Sequence, residues 1–398
     1  MHHAKNFESN LAYSSDNFFA ANSMLFGAQE MDTWAGYRIL NQFNHVYRLQ
    51  VSPYLGRFQL TDGLNIVMED SFYPNYLLKD KLQISYLSSM MKYGDSSIAI
   101  NHCRKLQEVI DMIIRTLEID LIWTETQFYD SLFPTRIRVI TRSVNFEPFH
   151  VLREDPSLFK YVRYLSKRRS EKRIAKNGSV IAISPRDSQL YARLVKREIP
   201  VLPLRQLSFV FRDNHNGMTN SPSKNFDFDF IHFAGSNFDV KHNRDNLKLI
   251  LNDIAPMVQS NLPNLKILIF GHRFPRDLKF PANVQQMHFR QDFHSIALQS
   301  IGAIVPGEGG AGMQSKIFEP LCLGIPLIAN RKAIAGYPYT VDKHFWNGNS
   351  TTSVYESLQN LRKKDDAVKA KIDRSRELSR TLFDFENIKR QMMSILEF

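Results

Sequence analysis

Apolar positions along the chain follow two alternating patterns. Short apolar runs recur, and between most of them lies a longer stretch whose apolar residues fall three and four apart. The first pattern predicts buried strands and the second amphipathic helices. The clearest helix covers 101–118, where Leu106, Val109, Ile110, Ile113, Ile114 and Leu117 share one face. Strands are predicted at 121–123, 137–141, 180–183 and 201–204, with a helix at 187–196 before the last. Residues 1–65 are less regular. They hold a β-like run at 17–22, a helical pattern at 28–43, and strands at 46–51 and 63–68. The alternation stops at 212–225 (RDNHNGMTNSPSKN), where Asn, Ser, Gly and Pro mark a linker. It restarts with strands at 228–233, 265–270, 284–289 and 301–305 and helices at 244–259 and 293–300. Three helical stretches, 353–362, 368–383 and 385–398, close the chain. Strands alternating with helices, twice over, predict an α/β protein of two doubly wound, Rossmann-like domains built on parallel sheets. The expected division is 1–212 and 227–380, joined by a linker at 213–226, with a C-terminal helix at 381–398 that could pack back on the first domain.

Length and composition agree with that division. A chain of 398 residues is long enough for two cores, and 43% apolar with 23% charged residues describes a globular protein. No apolar run nears the ~20 residues of a membrane-spanning helix. The start, MHHAKNFESN, lacks the apolar core of a secretory signal, so a cytoplasmic protein is expected. Cys103 and Cys322 lie far apart in predicted helices, which suits a reducing compartment and offers no metal site.

The net charge of +11 changes the picture. From Lys160 to Lys176 the chain reads KYVRYLSKRRSEKRIAK, eight basic residues against one acidic. Such a run is either a solvated helix face or a surface for a polyanion. Nucleic acid is the poorer match, because no zinc-finger spacing, RNP-type motif or helix-turn-helix pattern occurs. An anionic membrane surface is the expected partner of this run, which makes the protein peripheral at the inner face of a membrane.

The candidate chemistry gathers at 301–330, IGAIVPGEGGAGMQSKIFEPLCLGIPLIAN. A strand at 301–305 passes through a loop with glycine at 307, 309, 310 and 312 into a helix at 314–323, and Gly324 supplies its stop. Glycines before a helix N-terminus let backbone N–H groups approach an anion, and the helix dipole favours negative charge there. Lys316 and Glu319 share a face three residues apart. The lysine sits where a phosphate would lie, and the carboxylate one turn on can accept from paired hydroxyls such as those of a ribose. Strands of open parallel sheets present ligands at their carboxyl ends. There stand Gly235 and Lys241 after one strand and Arg273 after the next. A nucleotide diphosphate fits these groups. A dinucleotide site is the alternative, since Gly307, Gly309 and Gly312 also satisfy G-x-G-x-x-G. Against an oxidoreductase stand Pro306 before the first glycine and Asn330, instead of an acid, after the next strand.

Three segments, FAGSNFDVKHNRDNLKLIL, LKILIFG and IVPGEGGAGMQSKIFEPLCLGIPLIA, resemble the C-terminal domain of nucleotide-sugar glycosyltransferases of GT-B architecture, family-4 type. The likeness extends to FGAQEMDTWAGYRIL, TRSVNFE and VIAISPRDSQLY in the first half. The resemblance implies two domains facing each other across a cleft. It also implies transfer of a sugar from a nucleotide-diphosphate donor to a glycan or lipid-linked acceptor in polysaccharide or glycoconjugate assembly, with retention and without a cofactor or bound metal. It makes Glu319 the ribose ligand, places Lys316 and Lys241 near the diphosphate, and makes Gly235, Gly309, Gly310 and Gly312 donor-loop residues, while Arg273 is a donor-binding candidate by its strand-end position alone. Gly27 would belong to the acceptor-side loop. Where many relatives carry a second glutamate near the donor sugar this chain has Ala311, so Glu308 in the same loop is the candidate catalytic acid. The R-S-H-N segment reads R-S-V-N, with Val144 for histidine and Asn145 retained as the second catalytic candidate. An epimerase-like enzyme and a non-catalytic sugar-nucleotide binder of the same architecture are the alternatives.

Overall fold

The computed structural model describes residues 36–37, 39–42, 45–52, 57–62, 65–71, 91–92, 94, 104–124, 133–134, 136–143, 145–154, 157–203, 226–288, 293–307 and 313–396. The chain divides into two compact units at Leu204/Arg205, and the C-terminal helix falls in the second. Most of the expected linker lies outside the described residues, as do Gly27, Cys103, Val144, Glu308, Gly309, Gly310 and Gly312.

In the first unit, β1 (Tyr47–Ser52), β2 (Arg57–Asp62) and β3 (Asn65–Ser71) form an antiparallel sheet in that order, with Leu49 opposite Leu60 and Leu60 opposite Met68. This departs from uniform βα alternation. The connections between these strands are only four and two residues long, which permits hairpins and no crossover helix. Phe58 and Leu60 of β2 pack with Leu106, Ile110, Ile113 and Ile114 of α1 (Arg104–Thr116), the predicted apolar face. A parallel sheet comes next: β4 (Leu121–Thr124), β5 (Arg138–Ser143) and β6 (Ser179–Ala182), in that order. The strand expected at 201–204 is reduced to one bridge, Val201 to Ala182. Helices α2 (Glu147–Glu154), α3 (Lys160–Asn177) and α4 (Pro185–Val195) connect and flank this sheet. The SPRD sequence explains where α4 begins. Ser184 caps the Asp187 N–H, its hydroxyl donates to Asp187 Oδ2 at 2.7 Å, and Pro185 takes the first helical position, where no N–H is needed.

The second unit is a single parallel sheet in the order β12-β11-β10-β7-β8-β9. Its strands are β7 (Asp229–Asn237), β8 (Leu265–His272), β9 (Val284–Met287), β10 (Gly302–Val305), β11 (Leu327–Ala329) and β12 (Trp346–Asn347). One face buries Ile231, Phe233, Ile267, Ile269, Ile304 and Ile328 against the helices after β7 and against α9 (Thr351–Lys363). The helix predicted at 244–259 is three pieces: α5 (Lys241–Leu249), a π-helical turn (Ile250–Ile254) and α6 (Ala255–Asn261). Pro256 sits at the junction and has no amide hydrogen for the α ladder, so the wider turn absorbs the break. On the opposite face lie α7 (Phe293–Ala297) and α8 (Ser315–Leu323). Gly324 ends α8 in the left-handed region (φ 74°), as its sequence predicts. Arg376 of α10 (Asp366–Leu382) donates to Leu323 O at that C-terminus. Phe383, between α10 and α11 (Phe385–Leu396), packs edge-on against Phe318 of α8. No helix of the described residues is long and apolar enough to cross a membrane.

Candidate functional site

The strand order of the second sheet decides where a ligand can sit. After β7 the chain steps outward to β8 and β9, then returns to the other side of β7 for β10, β11 and β12. The β7–β10 boundary is therefore the topological switch point, the place where the connections leaving two neighbouring strands diverge and open a crevice at the carboxyl ends. The chain leaves β7 into α5 and leaves β10 into the glycine loop and α8.

The end of β7 is bound to the end of β8. Gly235 and Gly271 leave room for the Phe238 ring: a Cβ would lie 2.2 Å from Phe238 Cζ at the first and 2.4 Å from Cε2 at the second. The Phe238 N–H donates to His272 O at 3.2 Å. Both strands leave through left-handed non-glycine residues, Ser236 (φ 61°) and Arg273 (φ 57°), an unfavourable conformation held by the surrounding packing. Gly235 thus serves the close packing of Phe238, beside any role toward a ligand.

Two buried asparagines one turn apart on α5 cross the switch point. Asn246 Oδ1 accepts the Gly307 N–H at 2.8 Å, which pins the start of the glycine loop. A Cβ on Gly307 would meet that oxygen at 2.7 Å. Asn243 Oδ1 accepts from Lys316 Nζ at 2.6 Å, and its amide donates to Asn237 O at the end of β7. Lys316 is 9% exposed, with its ammonium 5.5 Å from the centre of the Phe233 ring. A neutral amide oxygen and an aromatic face are among the groups that hold the charge in place.

Glu319 lies one turn further along α8, and it lines a small pocket together with Lys316, His232, Ala234, Phe293 and Pro320. Its Oε2 is 3.7 Å from His294 Nε2, with both side chains largely covered. His232, on β7, is fully buried beside them. Its Nδ1 lies 2.9 Å from Ser300 Oγ, whose single hydrogen goes to Ala297 O. The His232 proton is therefore on Nδ1, donated to Ser300. Burial pushes the imidazole down to about 3, with the neighbouring His294 adding to the shift, so His232 is neutral at ordinary pH.

The structure brings Lys316 and Glu319 to one pocket, and the other predicted cations, Lys241 and Arg273, do not line it. Lys241 pairs with Asp245, and Arg273 Nη1 lies 2.7 Å from Asp239 Oδ2, each side chain half exposed or more. Arg244, not singled out by sequence, makes a two-pronged bond to Asp277 at 2.9 Å. Asn243, Asn246, His232 and His294 were also missed. Paired asparagines at helical spacing directly after a strand end were the available signal for the first two. The histidines carried none, because their roles depend on strand neighbours distant in sequence. Asn145 belongs to the first unit, in the turn after β5. Its backbone carbonyl accepts from Ser143 Oγ, and its buried Oδ1 has no hydrogen bond among the described residues. Beneath that turn the Tyr191 hydroxyl donates to Glu171 Oε2 at 2.7 Å, and burial with the Glu171 charge holds the phenol well above its ordinary range.

Among the described residues no group of three His, Cys, Asp or Glu side chains is placed to hold a metal ion. Chemically, the pocket offers a fixed ammonium, an adjacent carboxylate and the start of a helix, which together suit an anion carrying hydroxyl groups.

No protein-family model matches the chain, and no curated protein sequence matches it. Solved structures do. Sucrose-phosphate synthase from Thermosynechococcus elongatus superposes with a TM-score of 0.55 at 16% identity, covering 74% of this chain and 77% of that one. A glycosyltransferase from Rickettsia africae gives 0.54 at 14% identity, covering 73% and 79%. HepE from Anabaena, solved with UDP, gives 0.53 at 12% identity, covering 73% and 81%. The chain thus shares the fold of the GT-B glycosyltransferases, an architecture of two Rossmann-like domains.

Proposed function

We propose that this chain, having the GT-B fold, is a glycosyltransferase that moves a sugar from a nucleotide-diphosphate donor to a glycan or lipid-linked acceptor. The observation that carries the reading is the buried Lys316 ammonium, positioned by Asn243 at the switch point, with Glu319 one turn away in the same pocket. Breaking a glycosidic bond to a nucleoside diphosphate leaves negative charge on the departing phosphate. Lys316 and the first turn of α8 stand where that charge develops, already oriented, so they stabilise it without reorganising. Glu319 would accept from the two ribose hydroxyls and so set the register of the nucleotide. Lys241, Arg244 and Arg273 hold exposed carboxylates in pairs that contribute little to stability, and such partners can be exchanged for phosphate oxygens. HepE, a neighbour in fold, has also been solved with UDP-glucose, which supports a uridine nucleotide as the first donor to try.

Within this reading Glu308 and Asn145 are the catalytic residues, Gly309, Gly310 and Gly312 bind the donor, and Gly27 belongs to the acceptor-side loop. Transfer with retention, charge neutralisation by protein cations without a metal, and a place in surface polysaccharide or glycoconjugate assembly complete it. The test is calorimetric titration with UDP, GDP and their common sugars, then product analysis with acceptor. Micromolar binding of one nucleoside diphosphate that weakens in the Glu319→Ala variant supports the reading. Equal binding to that variant removes the ribose assignment, and turnover of a nucleotide sugar with no acceptor present would favour an epimerase.

A further inference from the structure

Helix α3 exposes large apolar residues at its N-terminal end and buries two charged ones further along. Its buried residues, among them Lys167, Glu171 and Ile174, all lie from its third turn onward and fasten it to the unit. The preceding turn and the first two turns stand clear. Leu158 is 92% exposed, Phe159 70%, and Tyr161, Val162 and Leu165 each more than 60%. Met91, 83% exposed, belongs to a segment tied to the same helix by the Ser166 hydroxyl, which donates to Gly94 O. Continuing along the same outward face come Arg168, Arg169, Lys172 and Lys176, all exposed and without a carboxylate partner among the described residues.

A solvated helix face accounts for the cations and leaves the apolar cluster unexplained, since a run of large apolar side chains this exposed marks a contact surface. A nucleic acid would likewise use the cations alone. On this face the two classes are separated along the helix axis, apolar residues first and cations second, while Lys160 and Arg163 fall on the other side of the helix by their spacing. A bilayer has the same sequence of environments, acyl chains inside and anionic headgroups outside. We propose that α3 docks the first unit on an anionic membrane, its N-terminal end inserted with Leu158, Phe159, Val162 and Leu165 among the acyl chains. Arg168, Arg169, Lys172 and Lys176 then lie among the headgroup phosphates. This docking is independent of the donor-site assignment, because none of these residues belongs to that site.

The full chain is sedimented with phosphatidylcholine vesicles containing about 30% phosphatidylserine, and with phosphatidylcholine alone, at low and physiological salt. Wild type should bind the anionic vesicles. Each headgroup cation contributes about fivefold, so Arg168→Gln/Arg169→Gln/Lys172→Gln should weaken binding ~100-fold and flatten its salt dependence. Leu158→Ser/Val162→Ser/Leu165→Ser should remove the binding that survives at physiological salt. A Phe159→Trp variant should show blue-shifted emission on adding vesicles. Every substitution is at the surface, so melting temperatures should stay at the wild-type value. Absence of binding to anionic vesicles at low salt overturns the proposal. So does wild-type binding by the serine variant, which would mean a surface for polyanions such as RNA. A solution dimer that the serine variant dissolves would also overturn it, since a second copy of the chain would then be the occupant.

Discussion

Replacing Lys316 with methionine separates a ligand-binding lysine from a structural one. Methionine keeps the length and apolar stem of this 9% exposed residue and removes only the ammonium, which donates to Asn243 Oδ1 at 2.6 Å. In the empty protein the loss has two parts of opposite sign. Asn243 loses its charged donor, worth about 1.5–3 kcal/mol, while the desolvation of a buried ammonium, of similar size, is relieved. Stability should therefore change by about 1 kcal/mol at most, a shift of ~2–4 °C in the melting of a unit this large. With a diphosphate bound the balance differs, because the variant leaves a covered negative charge without its partner. That costs about 3–5 kcal/mol, or ~150- to 4,000-fold in the dissociation constant of UDP or whichever nucleotide binds. Calorimetric titration and thermal melting of the same preparations read both quantities. A melting temperature lowered by ten degrees or more with affinity hardly changed would refute the reasoning and make Lys316 a structural strut.

Glu319→Gln keeps the shape of the proposed ribose acceptor and removes its charge. Affinity for a nucleoside diphosphate should fall about 10–100-fold and that for its 2′-deoxy form much less; equal losses for both would detach the carboxylate from the sugar. His232 provides a pH signature. Its folded value, about 3, lies below its ordinary 6.5, so the unfolded chain takes up the proton first and stability is lost as pH falls from 6.5 toward 3. The loss is about 2 kcal/mol at pH 5, and His232→Phe should be less stable at neutral pH yet show a flatter decline in denaturant melts between pH 7 and 5. Unchanged slope would mean that another group carries the acid sensitivity. Tyr191→Phe removes the donor to a buried Glu171 oxygen and should destabilise the first unit by about 1.5–3 kcal/mol, readable as a lower denaturation midpoint.

Much of the second unit was legible in its sequence, because buried parallel strands read as continuous apolar runs and Gly324 announces the end of α8. That Lys316 and Glu319 share a helix face was legible for the same reason: helical spacing is local information. The first unit was harder. RFQLTD alternates Phe58 and Leu60 with polar residues, yet β2 was hidden between two neighbours that invited a βα reading. Strand order could not be read at all, since nothing in β7 or β10 says that they are neighbours. With it went the switch point, the Asn243–Lys316 bond and the proximity of His232 to Glu319, each joining residues more than sixty positions apart.

One ring wedged between two glycines makes the tips of β7 and β8 a geared pair. The same ring fills the space a side chain would need at both glycines, so a change that displaces Phe238 disturbs the ends of both strands at once. Enlarging either glycine strips the same tooth. The damage from Gly235→Ala and Gly271→Ala together should therefore fall well short of the sum of the two alone.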